Sequence, residues 1–138
     1  MDKRLQKAAI SMMNMGNKIN FKITKDKQDS LIVNYCKKSI MFCLMIKNNK
    51  LVKVATLVYS IDKANHSVFV AKLDVCKDFQ FIGIGSNMIN CLQNYAKNIG
   101  LKKMELVSLS PSLKFYQKLG FEKSTIAEEA VYFCDIML

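Results

Sequence analysis

The chain has one proline, one histidine, one arginine and five glycines in 138 residues. No apolar run approaches the eighteen or so residues of a membrane span. There is no internal repeat and no Pro- or Ser-rich linker, so the length reads as one domain, 1–138, large enough to bury a core. The lone histidine, His66, falls in a turn, and no Asp/Glu/His/Cys set has metal-ligand spacing, which leaves no metal site to predict. Five cysteines, Cys36, Cys43, Cys76, Cys91 and Cys134, are an odd number without paired spacing. Four of them sit in apolar runs, as free buried thiols do in a reducing cytoplasm, and that is the expected location. The apolar stretch after Lys3, Arg4 and Lys7 is too short for a signal peptide and no small-residue cleavage site follows it. The net charge is +10, but twenty of the twenty-one basic residues are lysines spread along the chain. Specific readers of bases and phosphates favour the arginine fork, so no specific nucleic-acid partner is expected. The basic field would still draw in an anionic ligand.

What is present is a hydrophobic content of 51%, arranged in clear periods. Residues 2–14 place Leu5, Ala8, Ala9, Met12 and Met13 on one helical face, so residues 1–16 are set apart as an additional N-terminal helix. Residues 18–24 alternate as a half-buried strand, and 26–38 read as a helix through Leu31, Ile32 and Tyr35. Strands over 40–46, 51–61 and 67–75, joined by polar turns, make an antiparallel meander. A helix from Gly85 to Ile99 buries Met88, Ile89, Leu92, Tyr95, Ala96 and Ile99, with Gly100 at its C-cap. The strand 103–109 should then run parallel to 67–75. Ser110-Pro111 starts a short helix ending at Gly120, and strands 121–126 and 130–136 close the chain.

The segment Leu73-Asp-Val-Cys-Lys-Asp-Phe-Gln-Phe-Ile-Gly-Ile-Gly-Ser86 joins the last strand of the meander to the long helix. Glycines at a helix start let backbone N–H groups approach an anion, and the helix dipole favours negative charge there. A tight strand-to-helix turn would use the same two glycines. A Walker loop is excluded because no Gly-Lys-Ser/Thr ending is present. The dinucleotide fingerprint lacks its third glycine, which would fall at Met88.

A second segment, Lys103-Met-Glu-Leu-Val-Ser-Leu-Ser-Pro-Ser-Leu-Lys-Phe-Tyr-Gln-Lys-Leu-Gly-Phe121, resolves these alternatives. With Leu73, Val75, Phe79, Gln80, Gly83 and Gly85, then Phe115, Tyr116, Lys118, Gly120 and Phe121, the chain resembles the GNAT superfamily of acetyl-CoA-dependent N-acetyltransferases. The detailed match covers roughly residues 67–121. The resemblance implies an α/β (α+β) GNAT fold. Its mixed central sheet has an antiparallel N-terminal meander, a splayed parallel strand pair (67–75 and 103–109) holding acetyl-CoA, and flanking helices.

It also implies the site. Backbone of Leu73, Asp74 and Val75 would bond the pantetheine arm, and Gln80, Phe81, Ile82, Gly83, Ile84, Gly85 and Ser86 would hold the pyrophosphate. Ser112 stands where some members carry a cofactor-contacting asparagine, and Lys118 belongs to the same motif. Tyr116 maps to the tyrosine that protonates the departing thiolate. Glu105 is the candidate base, with water and Asp74 as alternatives. The acceptor is a primary amine of unidentified kind (protein, peptide, polyamine or amino sugar), attacked in a ternary complex, and a homodimer is left open. Family members often carry a small and then a basic or polar residue where this chain has Phe81-Ile82. That departure leaves a second reading, a catalytically degenerate CoA-binding or interaction module.

Overall fold

The computed structural model describes residues 24–25, 31–37, 39–47, 50–80, 83–128 and 131–138. The expected helix over 2–14 and all of the expected strand 18–24 except Thr24 lie outside these. The chain divides into two compact units, Met1–Val58 with Lys72–Tyr95, and Tyr59–Ala71 with Ala96–Leu138. The strands β4 (Lys50–Asp62) and β5 (Ser67–Val75) and the helix α1 (Ile84–Asn98) each contribute residues to both.

In the first unit, β1 (Thr24–Lys25), β2 (Leu31–Lys37), β3 (Ile40–Lys47) and the first part of β4 pair in sequence order, all antiparallel. Strand β2 corrects the expected helix over 26–38. Leu31, Ile32 and Tyr35 fit a helical stripe, but the run Leu-Ile-Val-Asn-Tyr-Cys-Lys also fits a strand. Residue-by-residue pairing with β3, from Leu31↔Ile46 to Lys37↔Ile40, decides between them. The β3–β4 ladder slips at Cys43/Leu44, where Cys43 faces Ala55 and Leu44 faces Lys53. Val54 is the extra residue, and the bulge buries Cys43, Leu44, Val54 and Ala55 together, against the usual alternation. Met88, Ile89 and Leu92 of α1 are fully buried, and Ile84 and Cys91 nearly so. Half-buried Tyr95 and exposed Ile99 lie off that stripe, because the helix ends at Asn98 and Ile99 belongs to its turn-off.

In the second unit, β5 pairs in parallel with β6 (Lys103–Leu109) from Ser67↔Lys103 to Val70↔Leu106. Strand β6 pairs antiparallel with β8 (Val131–Met137), and β8 with β7 (Glu122–Glu128). One face of these strands carries Val68, Val70, Met104, Leu106, Ser108 and Cys134, all buried. Alternation puts Phe69, Glu105, Val107 and Phe133 on the other. Gly100, at φ +87°, caps α1 as expected: Gly100 N donates to Lys97 O (3.1 Å) and Leu101 N to Ala96 O (2.9 Å). Only a residue without Cβ adopts that φ at no cost.

The expected helix after Ser110-Pro111 is a short 3₁₀ turn, Ser110–Ser112, followed by α2 (Leu113–Lys118). Ser110 does not cap it; it lies inside the turn, and neither the turn nor α2 has a side-chain cap bond. Helix α2 ends as α1 does, with Gly120 at φ +98°, Gly120 N bonded to Gln117 O and Phe121 N to Tyr116 O.

The cysteines give a first test. Cys43, Cys91 and Cys134 are buried, whereas Cys76 is exposed. Burial, with Cys91 nearby, pushes the Cys43 thiol up to about 12. The thiolate is the reactive form. Brief alkylation of the native protein followed by peptide mass mapping is therefore expected to label Cys76 first and leave Cys43 unmodified.

Candidate active site

Strand β5 ends at Val75, and the chain turns at once. Cys76 N donates to the carbonyl of the bulged Val54 (2.8 Å), so the bulge in β4 ties down the start of the loop. A single 3₁₀ turn, Lys77–Phe79, follows. The side-chain amide of Gln80 then reaches back and donates from Nε2 to Val75 O at 3.0 Å. Gln80 therefore braces the loop against the strand end. Of the strand-end residues, Leu73 and Val75 are half-buried, and exposed Asp74 pairs with Lys72 at 2.9 Å. Phe81 and Ile82 lie outside the described residues.

Gly83 has φ +87°, and a Cβ built on it would meet nothing within 4 Å. Glycine is there for its backbone conformation, and the space above it is open. At the start of α1, Asn87 N donates to Gly83 O at 3.0 Å. The N–H groups of Ile84, Gly85 and Ser86 precede it and belong to the set a helix cannot satisfy internally. No acidic residue stands in the first turn. Helix-start N–H groups, open space above a glycine and a first turn without acidic residues suit a phosphate group, so the residues present fit the pyrophosphate of CoA.

In the second unit, Tyr116 sits on α2 with its ring edge-on to Phe115 (5.0 Å between centroids) and to Phe121 (5.7 Å). Its backbone carbonyl accepts from both Leu119 N and Phe121 N, which locks the helix end beneath it. Burial, with the Cys134 thiol beside it, pushes the Tyr116 hydroxyl above the ordinary tyrosine value. It is a proton donor throughout the neutral range. Ser112 and Lys118 are exposed at the two ends of the same segment.

Glu105 pairs with Lys103 at 2.9 Å and lies in register with Asp135. Its neighbour Leu106 pairs with Cys134, so Glu105 points from the sheet face opposite to the one Tyr116 approaches. Sequence patterning missed the Val54 bulge and the Gln80 brace. No signal in the sequence marks the bulge, whereas a glutamine five residues beyond a strand's last carbonyl is within reach of it.

An acetyltransferase (GNAT) domain model matches residues 38–123 of the chain. No curated protein matches its sequence. Solved structures do match. The PaiA N-acetyltransferase of Thermoplasma acidophilum, in complex with coenzyme A, is 16% identical with a TM-score of 0.60, over 72% of this chain and 62% of that one. This chain thus spans less than two thirds of that protein. A domain from Methanocaldococcus jannaschii is 17% identical with a TM-score of 0.63, over 100% and 94% of the two chains. The NatC complex bound to Gag peptide and CoA is 12% identical with a TM-score of 0.63, over 72% and 70%. At these identities the likeness is one of fold.

Proposed function

This chain belongs to the GNAT acetyltransferase family, and from that premise we propose that it moves an acetyl group from acetyl-CoA to a primary amine by direct attack. The observation that carries the reading is the start of α1, where open space lies above Gly83 and no acidic residue stands in the first turn. Ile84, Gly85 and Ser86 would hold the pyrophosphate through backbone N–H, and the backbone of Leu73–Val75 the pantetheine arm. Gln80 keeps that strand end and the loop in one geometry. Bound acetyl-CoA supplies the activated acetyl group. Tyr116, protonated at neutral pH, supplies the proton that the thiolate needs on leaving. Holding both reactants in place provides most of the rate.

Because Glu105 is paired with Lys103 and faces away from the Tyr116 side, we assign the amine's proton to water. The CoA- and peptide-bound neighbours support CoA use and a peptide as one candidate acceptor. A cytoplasmic protein with free thiols agrees with the exposed Cys76.

The test is a screen of amines and blocked peptides that reads free CoA thiol. Acceptor-dependent release is expected, and its rate should climb from about pH 6 to 9 as an α-amine (~8) or lysine-like amine (~10.4) loses its proton. The raised Tyr116 hydroxyl places the falling limb above the ordinary tyrosine value of ~10. CoA binding with no thiol release for any acceptor would instead identify a degenerate binding module.

A further inference from the structure

Gly120 does more than turn the chain out of α2. A Cβ built on it would stand 3.0 Å from Ile136 Cδ1, so close that the isoleucine would have to give way. The backbone at the end of α2 therefore lies directly against the tip of one side chain of β8. The left-handed φ accounts for glycine at 83, 100 and 120 alike, but at 83 and 100 a Cβ would meet nothing within 4 Å. The turn that makes this close contact is also the one that holds Tyr116. Leu119 N donates to Tyr116 O at 3.0 Å and Phe121 N at 3.1 Å, one on either side of Gly120. Phe121 is buried and sets its ring edge-on to Tyr116 at 5.7 Å. Two backbone bonds and a buried ring thus tie Tyr116 to Gly120, and a shift of one carries the other.

On the sheet side, Ile136 and Cys134 are alternate residues of β8 and share a face. Ile136 pairs with Met104, which pairs with Val68, and Cys134 pairs with Leu106, which pairs with Val70. Those four partners are all buried, so the two cross-strand rows make a packed floor. Gly120 rests on the first row, and the Tyr116 hydroxyl has the Cys134 thiol of the second beside it. A close-packed interior passes a change of volume on to its neighbours. We propose that Ile136 is a positioning residue for Tyr116: its Cδ1, against Gly120, sets how high α2 stands over the sheet and so where the Tyr116 hydroxyl is held. That the hydroxyl so held protonates a thiolate rests on the acetyltransferase reading above.

Ile136→Val removes Cδ1 and nothing else, and Gly120→Ala adds the Cβ that Cδ1 excludes. Each is made alone and both together, in the full chain. The first readout is the NMR signal of the Tyr116 ring, recorded without acetyl-CoA or acceptor. Gly120→Ala should displace it, and adding Ile136→Val should bring it back towards its wild-type position. The positive φ stays unfavourable for alanine in both, so the melting temperature lost should be recovered only in part. The second readout is turnover with acetyl-CoA and an accepted amine. Gly120→Ala should lower kcat about tenfold and leave the KM for acetyl-CoA unchanged. Ile136→Val alone should lower kcat roughly two- to threefold, yet raise it in the Gly120→Ala protein, as residues that share a contact do. On a Tyr116→Phe background neither change should lower kcat further. A Tyr116 signal that Gly120→Ala leaves in place, or losses that simply add in the double variant, would overturn the proposal. So would an equal fall in kcat on the Tyr116→Phe background. If Gly120→Ala does not fold, Ile136→Val alone decides, and an unmoved Tyr116 signal there overturns the proposal. A ring that moves and returns as described, in a protein that acetylates no amine, supports the positioning contact and overturns the enzymatic reading instead.

Discussion

Valine at position 83 is expected to abolish the rise in melting temperature that CoA produces. A ligand at one hundred times its Kd stabilises the native state by ~2.7 kcal/mol, roughly 10 °C for a chain of this size. In the proposed site the N–H groups of Ile84, Gly85 and Ser86 hold the pyrophosphate beside Gly83, above which the space is open. Gly83→Val fills that space with a branched side chain. It also forces a β-branched residue to φ +87°, a left-handed conformation that costs about 1–2 kcal/mol before any ligand is considered. Gly83→Asn separates the two effects, since asparagine tolerates left-handed backbone while still projecting a side chain over the loop. Loss of the CoA shift in Gly83→Asn with little change in the ligand-free melting temperature is the expected outcome. A full shift in either folded variant would remove the loop from the phosphate site.

Removing the hydroxyl of Tyr116 is expected to lower kcat roughly ten- to thousandfold, about 1.4–4 kcal/mol of transition-state stabilisation. Tyr116→Phe keeps the edge-on ring contacts with Phe115 and Phe121 and leaves the helix-end bonds to its carbonyl intact. Stability and the CoA-induced melting shift should therefore change little. The pH profile supplies the separate signature. In wild type the falling limb belongs to the raised Tyr116 hydroxyl, and in Tyr116→Phe that limb should vanish while the rising limb of the amine remains. An unchanged kcat would show that the thiolate leaves without this proton, or that a later step such as product release limits turnover.

The motif-bearing half of the chain was legible for a physical reason. Strands 67–75 and 103–109 have the bounds read from the sequence, because their ends are marked by turn residues and a helix start. The two helix ends at Gly100 and Gly120 were equally legible, since each needs a left-handed residue and glycine supplies it. The family resemblance added what periodicity lacks, namely which loop is expected to meet phosphate and which tyrosine is proposed to carry the proton. The region 26–38 was not legible in the same way. Its apolar residues satisfy both a period of 3.6 and a period of 2, and only pairing with β3 chose the strand.

Local sequence thus determined the glycine turns, the strand–helix–strand unit around the proposed phosphate loop and the placing of Tyr116 on a short helix. These depend on φ preferences and hydrophobic period, which act within a few residues. Tertiary structure decided everything that depends on register. The Val54 carbonyl meets Cys76 at the very residue where the β3–β4 ladder slips by one. Glu105 lies in line with Phe69 and Asp135, on the face away from Tyr116, because of how three strands far apart in sequence align. A one-residue slip in any of them would turn that carboxylate to the other face, and no local preference encodes the alignment.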